Sequence, residues 1–307
     1  MSDDQDLMLP DFPPVFGSGV IGVCDICGKR QAVIVLQKER YKLCVLDFLN
    51  KTWLHTTIKP GAPLPPYRSD RIWFETAQSK TGQSTAIVLT PTKVVRHPTV
   101  LITPDVYGVT TVLLDAAIRF AKDGYEVLIP EVSKTAGIGF SEHLTTRTGA
   151  YLGGGVPLQS DRTRKLVLYY QDALQCLRNR PLADSEKTAI FGVGFGGSLA
   201  LGVAGEEQKL SAVVLAYPVP VRPPGYVELV TAPTLFVDAG RDSSSRRSRH
   251  AFESRSTQVA SPVEYANFPG ARRNFLAQDL GAYDLALAEA AWGRILAFLR
   301  SLSLIHI

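Results

Sequence analysis

Two stretches of this sequence combine residue types and spacings that could do chemistry. The first is Cys24-x-x-Cys27, sixteen intervening residues, then Cys44-x-x-Asp47. Thiolates two residues apart suit a tetrahedral zinc ion, and zinc accepts a carboxylate oxygen in place of a fourth sulfur. Cys24, Cys27, Cys44 and Asp47 are therefore expected to hold a structural zinc, since four protein ligands leave no open position for catalysis. Gly28 suits the tight knuckle after the second cysteine, while Ala32 to Leu36 and Arg40 to Leu43 read as a hairpin between the pairs. His55, at the end of an apparent helix from Val45 to Leu54, competes as the fourth ligand. The alternative is a hairpin that has lost its metal, with Cys44 simply buried. Cys176 stands apart, on a helical face with Leu166, Tyr169 and Ala173, where a core position is expected.

The second stretch is Gly192-Val193-Gly194-Phe195-Gly196-Gly197, between the strand pattern Thr188 to Phe191 and a helix that begins near Ser198. Gly192, Gly194 and Gly197 satisfy the spacing of a dinucleotide-binding loop. That chemistry needs an acid at the end of the next strand to hold a ribose. The next strand, Ser211 to Pro218, has none, and three strands precede the motif, so the cofactor reading is set aside. A strained strand-to-helix turn flanked by small residues is also where α/β-hydrolases carry their nucleophile. Between the outer glycines Gly192 and Gly196, that position is Gly194.

At this point the chain resembles the dienelactone hydrolase family. Phe195-Gly196-Gly197 is similar to the second half of that family's Gly-x-Cys-x-Gly-Gly turn. Leu101 to Gly108 resembles the strand that ends in an acid controlling the cysteine, with Asp105 where the family usually has Glu. Ala121 to Pro130 resembles the next helix end and strand, and Pro233 to Asp242 the segment that delivers the triad aspartate, here Asp242. Phe268-Pro269-Gly270-Ala271-Arg272-Arg273-Asn274-Phe275 resembles Pro-Gly-Ala-x-His-x-Phe, with Arg273 where the histidine belongs. The resemblance runs through most of residues 80–300 and implies an α/β-hydrolase fold.

It also implies that two of three catalytic parts are gone. A triad needs a nucleophile, a base and an acid that holds the base. Glycine has no side chain to attack with, and arginine stays protonated at neutral pH. Gly194, Asp242 and Arg273 are expected to be vestigial triad positions meeting in one pocket, with Asp105 beside them. Ser198, the nearest hydroxyl, should face away inside the helix, and His250 should be exposed. His97 and His143 fall in loops. The expected function is a non-catalytic accessory subunit that binds a partner protein or a small acid, with Arg272, Arg273 and Tyr107 as ligand-binding candidates and Arg241 near them. Arg246, Arg247, Arg249 and Arg255 would extend the positive region. The alternatives are a hydrolase of esters, lactones or thioesters with a displaced nucleophile, and a lyase or isomerase using Asp105 or Asp242 as base.

The elements that must position these residues are legible as alternating strands and helices. Ser84–Leu89, Thr99–Ile102, Tyr125–Ile129, Thr188–Phe191, Ala212–Leu215, Thr234–Val237 and Val263–Ala266 are β-branched or aromatic runs. Helical stripes separate them: Leu113, Ala117, Phe120 and Ala121 before Gly124, then Asp161 to Leu177, and at the end Leu285, Ala288, Trp292, Ile295 and Leu299. Such alternation predicts a mostly parallel sheet covered by helices. The expected organisation is a tail over 1–19, a zinc-ribbon-like module over 20–58, a Pro-rich linker over 59–70 and the hydrolase-like domain over 71–302. Net charge is +4 over 307 residues, and no stretch interleaves basic and aromatic residues as a nucleic-acid face would. No apolar run approaches the roughly 18 residues that a spanning helix needs. An acidic start, Met1 to Asp6, is unlike a secretory signal, so a cytoplasmic location is expected. Expected partners are another subunit, a second copy or a small anion, not nucleic acid or membrane.

Overall fold

The structure, a computed structural model, describes residues 66–105, 108–132, 155–255, 258, 261–278 and 281–302, and three short strands nearer the N-terminus. Those three, β1 (Val15–Phe16), β2 (Ile34–Leu36) and β3 (Tyr41–Leu43), pair antiparallel in the order β1-β2-β3. The predicted zinc ligands Cys24, Cys27, Cys44 and Asp47, the competing His55, and also Tyr107 and His143 lie outside the described residues.

An eight-stranded sheet organises the rest. Its strands are β4 (Tyr67–Glu75), β5 (Gln83–Pro91), β6 (His97–Thr103), β7 (Glu126–Glu131), β9 (Ala183–Val193), β10 (Ala212–Ala216), β12 (Thr234–Ala239) and β13 (Val263–Phe268). Across the sheet the order is β4-β5-β7-β6-β9-β10-β12-β13. Every pairing from β7 to β13 is parallel, and β5 runs against both of its neighbours. The parallel connections pass through α-helices, except that from β10 to β12, which runs through the 3-10 turn Pro224–Leu229. The helices are α1 (Thr111–Lys122), α2 (Asp161–Arg178), α3 (Phe195–Glu206) and α4 (Ser243–Glu253), and α5 (Leu285–Ser301) follows the last strand. A small parallel pair, β8 (Val156–Pro157) with β11 (Val221–Arg222), stands apart from the sheet.

Side chains alternate across a strand, so β5 divides its apolar run between two cores. Ile87 and Leu89 pack with α1 and α5, while Ala86 and Val88 pack with α2 and α3. On the first face Phe120, Phe191 and Trp292 meet with ring centroids 5.4–5.7 Å apart. Truncating the buried Trp292 to alanine removes a hub worth about 3–5 kcal/mol. Helix α3 is buried all round, which is why its sequence carries no polar stripe. Helix α1 stops where expected: Gly124 follows it with φ +98°, a left-handed position.

Three expectations need correction. Residues 67–70, read as linker, open the edge strand β4, because Tyr67 is buried in the core and pairs with Pro91. His97 is no loop residue: it begins β6, is 3% exposed, and its Nε2 lies 2.9 Å from the Lys93 carbonyl oxygen. Cys176 packs at the rim of the second core and stays half-buried, its thiol pushed up chiefly by burial. Among the described residues no helix is long and apolar enough to cross a membrane.

Candidate active site

Parallel strands deliver their following loops to one edge of the sheet, and the sequence-predicted site residues fall there. Thr103 ends β6 and Asp105 follows; Val193 ends β9 and Gly194 follows; Ala216 ends β10 and Tyr217 follows. Asp242 comes just after β12 as the N-cap of α4, its side chain accepting from the Ser244 N–H. Arg273 lies in the turn after β13.

The turn from β9 into α3 is tight for identifiable reasons. Gly194 adopts φ +58° and ψ −121°, a region that side-chain-bearing residues rarely enter. A Cβ on Gly196 would lie 2.1 Å from the Thr103 carbonyl oxygen, so the helix start presses directly on the β6 backbone. Thr103 completes that contact by donating its hydroxyl to the Gly196 carbonyl at 2.8 Å. The Gly194 N–H donates to Ala216 O at 2.9 Å, tying the turn to the neighbouring strand.

Over this turn sits an ionic cluster. A Cβ built on Gly194 would fall 2.2 Å from Asp105 Oδ2 and 3.0 Å from Arg273 Nη2. The carboxylate of Asp105 therefore fills the space where a side chain at position 194 would begin. Its other oxygen accepts the Phe195 N–H at 3.1 Å. In hydrolases with this turn, the N–H after the nucleophile is the donor that binds the oxyanion. Arg273 donates from Nη1 to Asp242 Oδ2 at 2.7 Å and to the Tyr217 carbonyl at 3.4 Å, and its guanidinium lies 5.9 Å from the Tyr217 ring centroid. Cation–π contact and two acceptors fix the guanidinium plane. Gly194, Asp105, Asp242 and Arg273 are thus brought together.

Other candidates are elsewhere. Ser198 is fully buried in α3, and its hydroxyl is committed to the Val219 carbonyl at 2.7 Å. Arg272 is exposed, as is His250 on α4. Three residues escaped the sequence reading. Tyr217, with φ +38°, cradles Arg273; its only sequence signal is its place at the end of an apolar strand. Tyr170 on α2 is wholly buried, and burial first, then Tyr169 and the Asp105 charge, hold its hydroxyl well above the usual phenol range. Asp238 in β12 accepts from Ser245 at 2.6 Å and pairs with Arg249 at 3.2 Å, pinning α4 and with it Asp242.

The chain is 23% identical over 216 residues to the "Putative carboxymethylenebutenolidase" of Synechocystis sp., covering 67% of this chain and 86% of that protein. Its fold is similar to a dienelactone hydrolase-like promiscuous phosphotriesterase from metagenomic libraries, with TM-score 0.61 and 19% identity over 77% of this chain and 99% of that one. It is also similar to the dienelactone hydrolase of Anabaena variabilis, with TM-score 0.56 and 16% identity over 77% and 98% of the two chains. The sequence profile of the dienelactone hydrolase family matches residues 85–303, well over half of the chain, and the protein belongs to that family.

Proposed function

We propose that this chain is a catalytically silent member of its family, an accessory protein that binds a partner or small anion and does not turn it over. The observation that carries this reading is the Asp105 carboxylate. It stands 2.2 Å from where a Gly194 side chain would start, and it takes the Phe195 N–H that an oxyanion would need. Position 194 has no attacking atom, the oxyanion donor has an internal acceptor, and a permanently charged guanidinium holds Asp242. A neutral histidine would relay a proton between those places; Arg273 supplies only charge. Loss of nucleophile and base together costs about a million-fold in rate in a serine hydrolase.

The test is hydrolysis of p-nitrophenyl acetate and of a dienelactone by the full chain. The expected rate equals background. Robust turnover abolished by Ser198→Ala would overturn the reading, because the nucleophile would have moved rather than vanished.

We also propose a structural zinc held by Cys24, Cys27, Cys44 and Asp47. The antiparallel pairing of β2 with β3 favours it, since these strands lie between the two ligand pairs in sequence, where the hairpin of a zinc ribbon belongs. Such a module would serve docking or tethering, not chemistry.

A further inference from the structure

We propose that β4, at the edge of the sheet, pairs antiparallel with β4 of a second copy of this chain, about a two-fold axis at Trp73. The surface lies outside the Gly194 cluster, so the inference goes beyond the silent-hydrolase reading and does not rest on it.

Among the described residues β4 has a strand on one side only, β5, and it ends the sheet order. The hydrogen bonds at the two ends of that pairing tell which backbone groups remain. Thr76 N–H donates to the Gly82 carbonyl and Thr92 N–H to the Pro66 carbonyl, both at 2.9 Å. Backbone groups point alternately to either side of an antiparallel strand, so the even-numbered residues from 66 to 76 turn theirs toward β5. Arg71, Trp73 and Glu75 therefore direct N–H and C=O outward, as a template for another strand. Their side chains share one face of the sheet.

Trp73 is an independent sign of contact. It is 69% exposed, while no other tryptophan or phenylalanine among the described residues is exposed. Large aromatic residues concentrate where protein surfaces meet.

Charge selects both the occupant and the register. Self-pairing about Trp73 sets Arg71 opposite the copy's Glu75, and Glu75 opposite the copy's Arg71. An axis at Arg71 would oppose two guanidinium groups, and one at Asp70 two carboxylates. Axes at Ile72 or Phe74 leave the charges unmatched. An axis at Ser69 would match Arg68 with Asp70 but leave Trp73 outside the contact. Edge charges deter unrelated strands, and their order here admits one partner, the same strand reversed. Glu75 has no ion-pair partner among the described residues. Arg71 donates to Glu131 at 2.6 Å, and its five donors leave room for a second carboxylate. Residues opposed in such a hydrogen-bonded pair have Cα atoms about 5.5 Å apart, which suits both a ring–ring and an Arg–Glu contact.

The experiment is sedimentation velocity of the full chain between about 1 and 200 μM, where a small interface associates. Wild type is expected to pass reversibly from monomer to dimer. Trp73→Lys puts two ammonium groups on the axis, and Glu75→Lys turns both ion pairs into repulsions. Each should weaken the dimer about tenfold or more. Asp70→Lys makes the same charge change on the other face of the strand, opposite the copy's Thr76, and should alter the affinity less than about threefold. A monomer throughout that range overturns the proposal. So does a dimer that Asp70→Lys weakens as much as Glu75→Lys does, or one that ignores Trp73→Lys. None of these results bears on the hydrolysis assay, so the two readings fail separately.

Discussion

Substituting Gly194 with alanine isolates the contact on which the functional reading rests. The added methyl carbon would sit 2.2 Å from Asp105 Oδ2, nearly an ångström closer than real contacts permit. It would also place an L side chain at φ +58°, ψ −121°. Strain of that kind costs about 1–3 kcal/mol. Moving the carboxylate threatens its hydrogen bond from the Phe195 N–H, a charge-assisted contact worth about 1.5–3 kcal/mol in a buried setting. Reduced freedom of the unfolded chain returns about 0.4–1 kcal/mol. The expected cost of Gly194→Ala is therefore about 2–5 kcal/mol, a large share of the roughly 5–15 kcal/mol that holds a domain folded.

Asp105→Ala tells strain from collision. Without the carboxylate the clash disappears and only backbone strain remains, so Gly194→Ala should cost about 1–2 kcal/mol in that background. Urea unfolding of wild type, both single variants and the double variant closes a cycle with an expected coupling of about 1–3 kcal/mol. If Gly194→Ala costs the same with and without Asp105, within about 0.5 kcal/mol, the carboxylate does not occupy that space and the reasoning fails. The same collision bears on rebuilding the triad. Gly194→Cys with Arg273→His should label poorly with an activated ester until Asp105→Ala is added, and mass spectrometry of the acyl-enzyme reads the difference.

Further outcomes follow from other contacts. Arg273→Met should destabilise the protein by about 1–3 kcal/mol in urea unfolding, because the Asp242 carboxylate, only 9% exposed, loses the partner at 2.7 Å. Purified protein should carry one zinc per chain by elemental analysis, lost on Cys24→Ser; a stoichiometry near zero would refute the ligand set. Burial pushes the Tyr67 hydroxyl from 10.0 up to about 12 and raises Tyr125, Tyr169 and Tyr170 further. A raised folded value means that the fold favours neutral phenol, so the stability is whole below pH 10 and is lost as pH climbs toward 12 and beyond. Tyrosinate absorbance should lag behind a free-tyrosine titration and then rise together with loss of helical circular dichroism; a simple titration near pH 10 would show these phenols to be exposed.

What the sequence discloses here depends on how local each cause is. Strands such as Ala212–Ala216 and helices such as Asp161–Arg178 announce themselves through apolar runs and stripes, because burial on the sheet and against it demands those patterns within a few residues. Edge strand β4 does not. Arg68, Asp70, Arg71 and Glu75 give it the polar look of a linker, since an outermost strand must turn charge to solvent to avoid pairing with other chains. His97 misleads for a related reason: it closes onto the Lys93 carbonyl at the very start of β6, a contact no periodicity encodes. The positions Gly194, Asp242 and Arg273 were legible because each sits in a short motif bound to a strand end. Asp105 was legible as a motif residue too, yet its part in the site was not. Its carboxylate reaches Phe195 across 90 positions of sequence, into a volume that exists only because residue 194 has no side chain. An absence in one strand's turn and a carboxylate from another strand's end make a single structural unit. Neither motif alone contains it, so the glycine at this turn reads as a bare position in sequence and as an occupied one in three dimensions.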